Sequence, residues 1–323
     1  MASDEFDRAT APYRRELLAH CYQMLGSVHD AEDLVQDTLL RAWRSYDRFD
    51  ARRASIRTWL HRIATNACLT ELRNRASRPL PSGLGAPSDD PRAPMAAGPE
   101  IPWLEPIADA QLGAHSSDPA AAILARGQLR LAFITAMQVL PARQRAILVM
   151  RDVLELPIAD VAAALGATPA AVNSGLQRAR TRLAELGVDQ DAVTEPSSAD
   201  QRAVVDRYVA AFVAADLNAL AQMLTDDVVL EMPPVLNWYV GRDSYVQFMA
   251  RAFQLRGTDW RMLPASANGQ PALAAYVRGG ESADGYEIHS LQVLSIAGSR
   301  VSRNTNFVDR AAFTSFGIAH TLP

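Results

Sequence analysis

From Asp30 to Tyr46 the apolar residues Val35, Leu39, Ala42 and Tyr46 recur at i, i+4, i+7 and i+11, which predicts one inward helix stripe opened by Asp30, Glu32 and Asp33. A second helix is predicted from about Ser55 to Arg75, with Ile56, Leu60, Ile63 and Ala67 at the same spacing. Between Ala120 and Leu140, Ile123, Leu124, Leu131, Ile134 and Met137 predict another helix, ended by Pro141, and a further one runs to about Val153. From Ile158 to Leu183 the pattern gives a short helix, a turn at Gly166 and a longer helix from near Pro169 with Thr168 as N-cap; Val161, Leu165, Val172 and Leu176 would pack the two together. After Asp200 the period changes. Two helices precede a strand in DVVLEMPP, WYVGRD opens a helix to about Phe253, and alternating strands reach Val308, with turns at Asn268-Gly269 and Gly298. The first two blocks read as all-α and the last as α+β.

A chain of 323 residues asks for two or three domains. Prolines and small residues crowd 79–119, so that stretch is predicted to be a linker, and 188–199 is a second one. This divides the chain into 1–78, 79–119, 120–187, 188–199 and 200–323. Apolar residues make up 49% and charged ones 21%, which excludes a disordered or collagen-like chain. No apolar run approaches the roughly 18 residues of a membrane span and the start is too charged for a signal peptide, so a cytoplasmic protein is expected, without membrane contact. Cys21 and Cys68 stand in different contexts with no CxxC or His-Cys cluster; both are expected to be buried thiols, with no metal or cofactor implied.

The net charge of −4 conceals its layout. Residues 1–40 hold eight acids against three arginines, whereas 41–78 hold ten arginines against three acids. The first part avoids phosphate and the second seeks it. On the second helix Trp59, Arg62, Asn66, Thr70 and Arg73 line one stripe, a face suited to unpaired DNA: the ring stacks a base, the amide reads an edge and guanidiniums hold phosphates. In the Gly166 hairpin, Ala170, Asn173, Ser174 and Gln177 face outward to reach base edges, with Arg178, Arg180 and Arg182 beyond them for phosphates.

DAEDLVQDTLLRAWRSYDRFD followed by RTWLHRIATNACLTELRNR resembles the promoter-melting domain of bacterial extracytoplasmic-function sigma factors, and IADVAAALGATPAAVNSGLQRARTRL resembles their helix-turn-helix domain that reads the minus-thirty-five element. By that resemblance Asp33, Gln36, Asp37 and Leu40 would dock on core RNA polymerase. Asp47–Ser55 would capture a flipped base of the minus-ten element, while Trp59, Arg62, Asn66 and Arg73 would follow the melted strand of promoter DNA. Thr70 departs from the family, where an Asp is common, and so do Asn173 and Gly175, where Lys and Arg are common; the last two imply fewer phosphate contacts and a flatter salt dependence. Trp103, Leu104, Glu105 and Pro106 resemble a linker signature of such sigma factors that carry a C-terminal extension. Two readings of this island stand: a segment threading the polymerase cleft, or a hydrophobic latch onto the protein's own C-terminal domain.

The third segment resembles SnoaL-like domains of the nuclear transport factor fold, a curved sheet wrapped round a cone. Met232, Trp238, Tyr239, Trp260, Tyr276, His289 and Phe307, with Phe253 and Asn306, are candidates to line its pocket and to hold a small apolar ligand. His289 or Asp227 as general acid or base is the enzymatic alternative, in which an ordinary helix-turn-helix regulator is fused to a polyketide-cyclase-like domain. The preferred reading has no catalytic residue and makes the tail a regulator of the sigma factor.

Overall fold

The structure, a computed structural model, describes residues 2–73, 77–95, 100–113, 127–186, 198–279 and 285–323. The chain forms two compact units, one joining 1–78 to 109–192 and the other joining 79–108 to 193–323. The stretch read as a single linker is thus divided after Ala108, most of it belonging with the C-terminal unit. Ile123 and Leu124 lie outside the described residues, as does most of the second linker.

The first unit is helical: α1 Ala2–Thr10, α2 Arg14–Leu25, α3 Val28–Arg44, α4 Ile56–Glu71, α5 Asp109–Leu112, α6 Leu131–Gln138, α7 Ala142–Leu148, α8 Ile158–Leu165 and α9 Pro169–Glu185. Side-chain caps set three of the starts. Ser27 accepts from the Asp30 N–H, Ser55 from Thr58 and Thr168 from Ala171, each satisfying a donor the first turn leaves free. Leu17, Met24, Leu60 and Ala64 fill the interior of α2 and α4, and Val161, Val172 and Leu183 that of α8 and α9.

Charged residues also enter this core. The buried Arg145 on α7 donates to the carbonyl of Met24, and to Gln138 Oε1 at 2.9 Å, Gln138 O at 3.0 Å and Leu140 O at 3.2 Å. Burial lowers its pKa to about 10, so it stays charged at neutral pH and closes the ends of α2 and α6. Glu16 lies between Arg57, bound through both carboxylate oxygens, and His61, whose Nε2 is 3.4 Å away. Burial alone would raise the Glu16 pKa, but these partners outweigh it and hold it at about 2. His20 packs edge-on to His61 at 5.2 Å and shares a 3.0 Å hydrogen bond with Thr65. Cys21 and Cys68, expected in unrelated settings, are both buried and come together across α2 and α4; a hydrogen bond with Cys21, then burial, pushes the Cys68 thiol pKa up.

The second unit is α+β: α10 Ser198–Val213, α11 Leu217–Gln222, β1 Leu224–Glu231, β2 Trp238–Val240, α12 Arg242–Arg256, β3 Trp260–Ala267, β4 Gln270–Arg278, β5 Tyr286–Ala297, β6 Arg300–Phe307, α13 Arg310–Ser315 and β7 Thr321–Leu322. The sheet order is β2-β1-β6-β5-β4-β3, with β7 added to β5. Every pairing is antiparallel except β1 with β6. The predicted Asn268-Gly269 turn joins β3 to β4, both residues having the positive φ (58° and 68°) of a tight hairpin. Irregular register in β4–β5 and β5–β6 bends the sheet, and α10 and α12 pack aromatic and methionine side chains into its concave side.

Candidate nucleic-acid and polymerase interfaces

On α4, Arg62, Asn66 and Thr70 are exposed on successive turns, Arg73 is exposed just past the helix end, and neither arginine is ion-paired among the described residues. Leu60 and Ala67 are buried beneath them, with Ile56 and Ile63 half-buried. Trp59 does not join this face. It is only 7% exposed, its ring 4.9 Å from Phe49 and 6.4 Å from Tyr46, and Phe6 meets Tyr46 edge-on at 5.2 Å. Because side chains lean toward a helix's N-terminus, a ring in the first turn of α4 falls under the chain that enters it. Trp59 therefore anchors the loop from Asp47 to Ser55 and offers no free ring to a base. That loop carries exposed Arg52 and Arg53, with Arg52 bound to Asp50 at 3.1 Å.

On α3, Val35, Leu39 and Ala42 are buried as the periodicity requires, while Asp33, Gln36, Leu40 and Arg44 are exposed and Asp37 pairs with Arg41 at 2.8 Å. The sequence reading missed Trp43, which is 53% exposed beside Leu40. Its position three after Leu40 and seven after Gln36 was the available signal, since those spacings share a face. An exposed Trp–Leu pair rimmed by acids is the composition of a protein-docking patch.

In the hairpin of α8 and α9, Gly166 takes the left-handed φ of 56° that ends α8. Ala170, Asn173, Ser174, Gln177 and Arg178 are exposed along α9. Arg180 is bound to Asp152 at 2.7 Å and Arg182 to Glu185 at 2.8 Å, so two of the expected phosphate ligands rest on carboxylates. Gly175 is a correction: it is buried, and a Cβ there would sit 2.6 Å from Ile147 Cδ1. It lets α7 approach α9 and is not a lost phosphate contact.

Among the described residues the linker is bound to the C-terminal unit along much of its length. Ser82 N–H donates to Glu231, itself buried and paired with Arg303 at 2.6 Å. The Trp238 indole donates to Gly85 O, and Ser88 N–H to Trp238 O. Arg251 donates to Ala93 O at 2.7 Å. At the far end Ile107 and Asn268 exchange two 3.0 Å bonds and Ala108 bridges Ala267. Leu104, Pro106 and Ile107 are buried, with Trp103 and Glu105 half-buried. Frequent proline suits such an irregular segment, because it removes donors that would otherwise need partners.

A cavity of about 390 Å³ opens in the concave side of the sheet. Met232, Trp260, His289 and Asn306 line it as expected; Trp238, Tyr239, Tyr276, Phe307 and Phe253 do not. Strand alternation explains two of these. Asn304, Asn306 and Val308 look in, so Phe307 looks out, and Tyr276 alternates with Ala275 and Val277, which places it with Ala274 on the opposite face, where it packs on Tyr286. Trp238 serves the linker and Tyr239 packs on Phe248 at 5.5 Å. Asp227 is exposed on β1, outside the cavity, so it cannot act with His289 there. Burial, then the charge of Arg256, lowers the His289 pKa to about 4.

Three family models match the chain: Sigma-70 region 2 over residues 11–78, Sigma-70 region 4 over 130–183 and a SnoaL-like domain over 205–304. The arrangement is that of a transcription-initiation factor with an appended cone domain. The ECF RNA polymerase sigma factor SigG of Mycobacterium tuberculosis is 45% identical over 98% of this chain and 85% of its own length. SigJ of the same organism is 28% identical over 88% of this chain and 84% of its own. The crystal structure of SigJ superposes with a TM-score of 0.66 at 25% identity, covering 98% of this chain and all of that one. The chain belongs to the extracytoplasmic-function RNA polymerase sigma factors, which direct core polymerase to promoter DNA. Among the described residues no helix is long and apolar enough to cross a membrane, and no cluster of His, Cys, Asp and Glu is placed to hold a metal.

Proposed function

We propose that promoter opening rests on the α4 face, where Arg62 and Asn66, with Arg73 just past the helix end, take the melted strand of the minus-ten element and the loop held by Trp59 receives a flipped base. The observation that carries this is the row of unpaired, exposed arginine and amide side chains on a rigid helix. Ala170, Asn173, Ser174, Gln177 and Arg178 read the minus-thirty-five element in the major groove, and Arg180 joins them once a phosphate displaces Asp152. Asp33, Gln36, Asp37 and Leu40, with Trp43, dock on core polymerase. The protein works in the cytoplasm. Its C-terminal unit acts without catalysis: among the described residues lining the cavity, no acid stands beside His289 to share a proton. That unit instead regulates transcription through the Trp103–Pro106 segment it holds.

Run-off transcription with purified core polymerase on genomic fragments tests this. Arg62→Ala with Asn66→Ala should lower open-complex formation at least tenfold while polymerase binding stays within twofold. Equal losses in both would assign the face to polymerase. Asn268→Gly keeps the turn but deletes the side-chain bond to Ile107, and should change promoter output if the linker carries the regulation.

A further inference from the structure

The cavity of the C-terminal unit is built in three zones. Its walls are aromatic and thioether surfaces: Phe212, Phe248 and Trp260, with Met232 and Met249. Phe212 and Trp260 stand perpendicular at 5.4 Å and Trp260 meets His289 edge-on at 5.2 Å, leaving ring faces and edges for a flat guest. The inner end is a hydrogen-bonded network. Tyr208 and Tyr245 share a 2.7 Å bond, and the Asn304 amide donates to both hydroxyls and to Gln292 Oε1. Gln292 Oε1 also accepts from Tyr208 at 2.9 Å. Gln292 is buried and lines the cavity, yet its amide N–H groups have no protein partner among the described residues. The mouth carries Arg251 and exposed Arg256, and among the described residues no carboxylate lines the cavity.

We propose that this cavity binds an aromatic or fused-ring small molecule with a carbonyl oxygen at its inner end and an acidic group at its mouth, and that linker residues Ala93–Met95 form part of the closure over it. The Gln292 amide supplies the donor for the carbonyl, and Arg256 supplies the charge for the acid. Met95 belongs to the cavity lining and Ala93 O is bound by Arg251. A guest therefore touches the linker directly, and its occupancy is felt by the segment to which the regulatory role above is assigned. A volume of about 390 Å³ falls within the range of small-molecule sites, roughly 300–1,000 Å³. Neutral His289 adds a polar contact without repelling or attracting charge.

The binding claim rests on the cavity alone; only its consequence for transcription rests on the reading of the linker. The test therefore uses the full chain without polymerase. Calorimetric titration with 2-naphthoate and with its methyl ester as probes should give one site per chain. Arg256→Gln should weaken the acid about tenfold and leave the ester within twofold. Ala252→Trp, which fills the cavity, should abolish both; if that variant loses its thermal transition, the exposed Arg256→Gln carries the comparison. Trypsin cleavage after Arg92 should slow several-fold with probe bound. Multiple weak sites, or full binding by folded Ala252→Trp, would overturn the cavity assignment. Equal weakening of acid and ester would overturn the acidic class, and unchanged cleavage at Arg92 would overturn the linker's part.

Discussion

Truncating Trp59 to Ala separates two accounts of the same residue. A ring that stacks on DNA can be removed without harm to the free protein, whereas a ring at 7% exposure under Phe49 and Tyr46 cannot. Burying a tryptophan removes about 150–250 Å² from water, and at about 25 cal/mol per Å² that is roughly 4–6 kcal/mol, close to the ~3–5 kcal/mol that such truncations cost. The helical unit comprises about 160 residues, for which each kcal/mol shifts the melting temperature by roughly 2–4 °C. Scanning calorimetry should therefore show its transition fall by about 10 °C in Trp59→Ala and by a few degrees in Trp59→Phe, with Arg62→Ala unchanged. Hydrogen exchange in the Asp47–Ser55 loop should rise in parallel. A Trp59→Ala protein that melts with the wild type but fails to open promoters would refute the buried anchor and restore the stacking role.

Two other outcomes follow from the charged core. The Glu16 carboxyl, held at about 2 against an ordinary 4.5, contributes on the order of 3 kcal/mol that is whole above pH 4.5 and drains as pH falls toward 2. His20 and His61, whose pKa values burial lowers below 6.5, act in the same direction over a higher window, since burial disfavours their protonated forms. Calorimetric melts should thus be flat from pH 8 to 7 and decline steadily below 6.5, and a transition that rises on acidification to pH 5 would contradict the cluster. Arg145→Ala should destabilise the helical unit by about 3–5 kcal/mol in urea denaturation, because four oxygen contacts lose their donor in a dry site; a loss under 1 kcal/mol would mean that water replaces it.

Apolar spacing was enough to locate α3, α4 and the α8–α9 hairpin, because each presents a single face to one interior. Asn268-Gly269 marked its hairpin through backbone preference alone. What spacing could not supply is anything decided by a neighbour distant in sequence. Trp59 shares a stripe with Arg62 and Asn66, and only the loop folded above it makes it core. Gly175 reads as a missing side chain on α9, and only the Ile147 Cδ1 packed against it shows that the position is interior. Glu16, His20, His61 and Arg145 read as surface by type, yet each is interior because its partner lies far along the chain. In the cone, alternation sets Tyr276 apart from Ala275 and Val277, but which of the two faces looks into the cavity is decided by the helices packed on it.

The linker's attachment bears on how this protein can be dissected. Residues 79–108 precede the helix-turn-helix in the chain but complete the fold of the C-terminal unit. Cutting the chain near residue 195 would strip Leu80, Leu104 and Ile107 of the surface that shields them, leaving a sticky extended segment inside the surviving fragment. A phenotype from such a deletion would mix the loss of a regulator with aggregation or stray pairing. Point changes at the anchor bonds, which leave every residue present, keep those two effects apart.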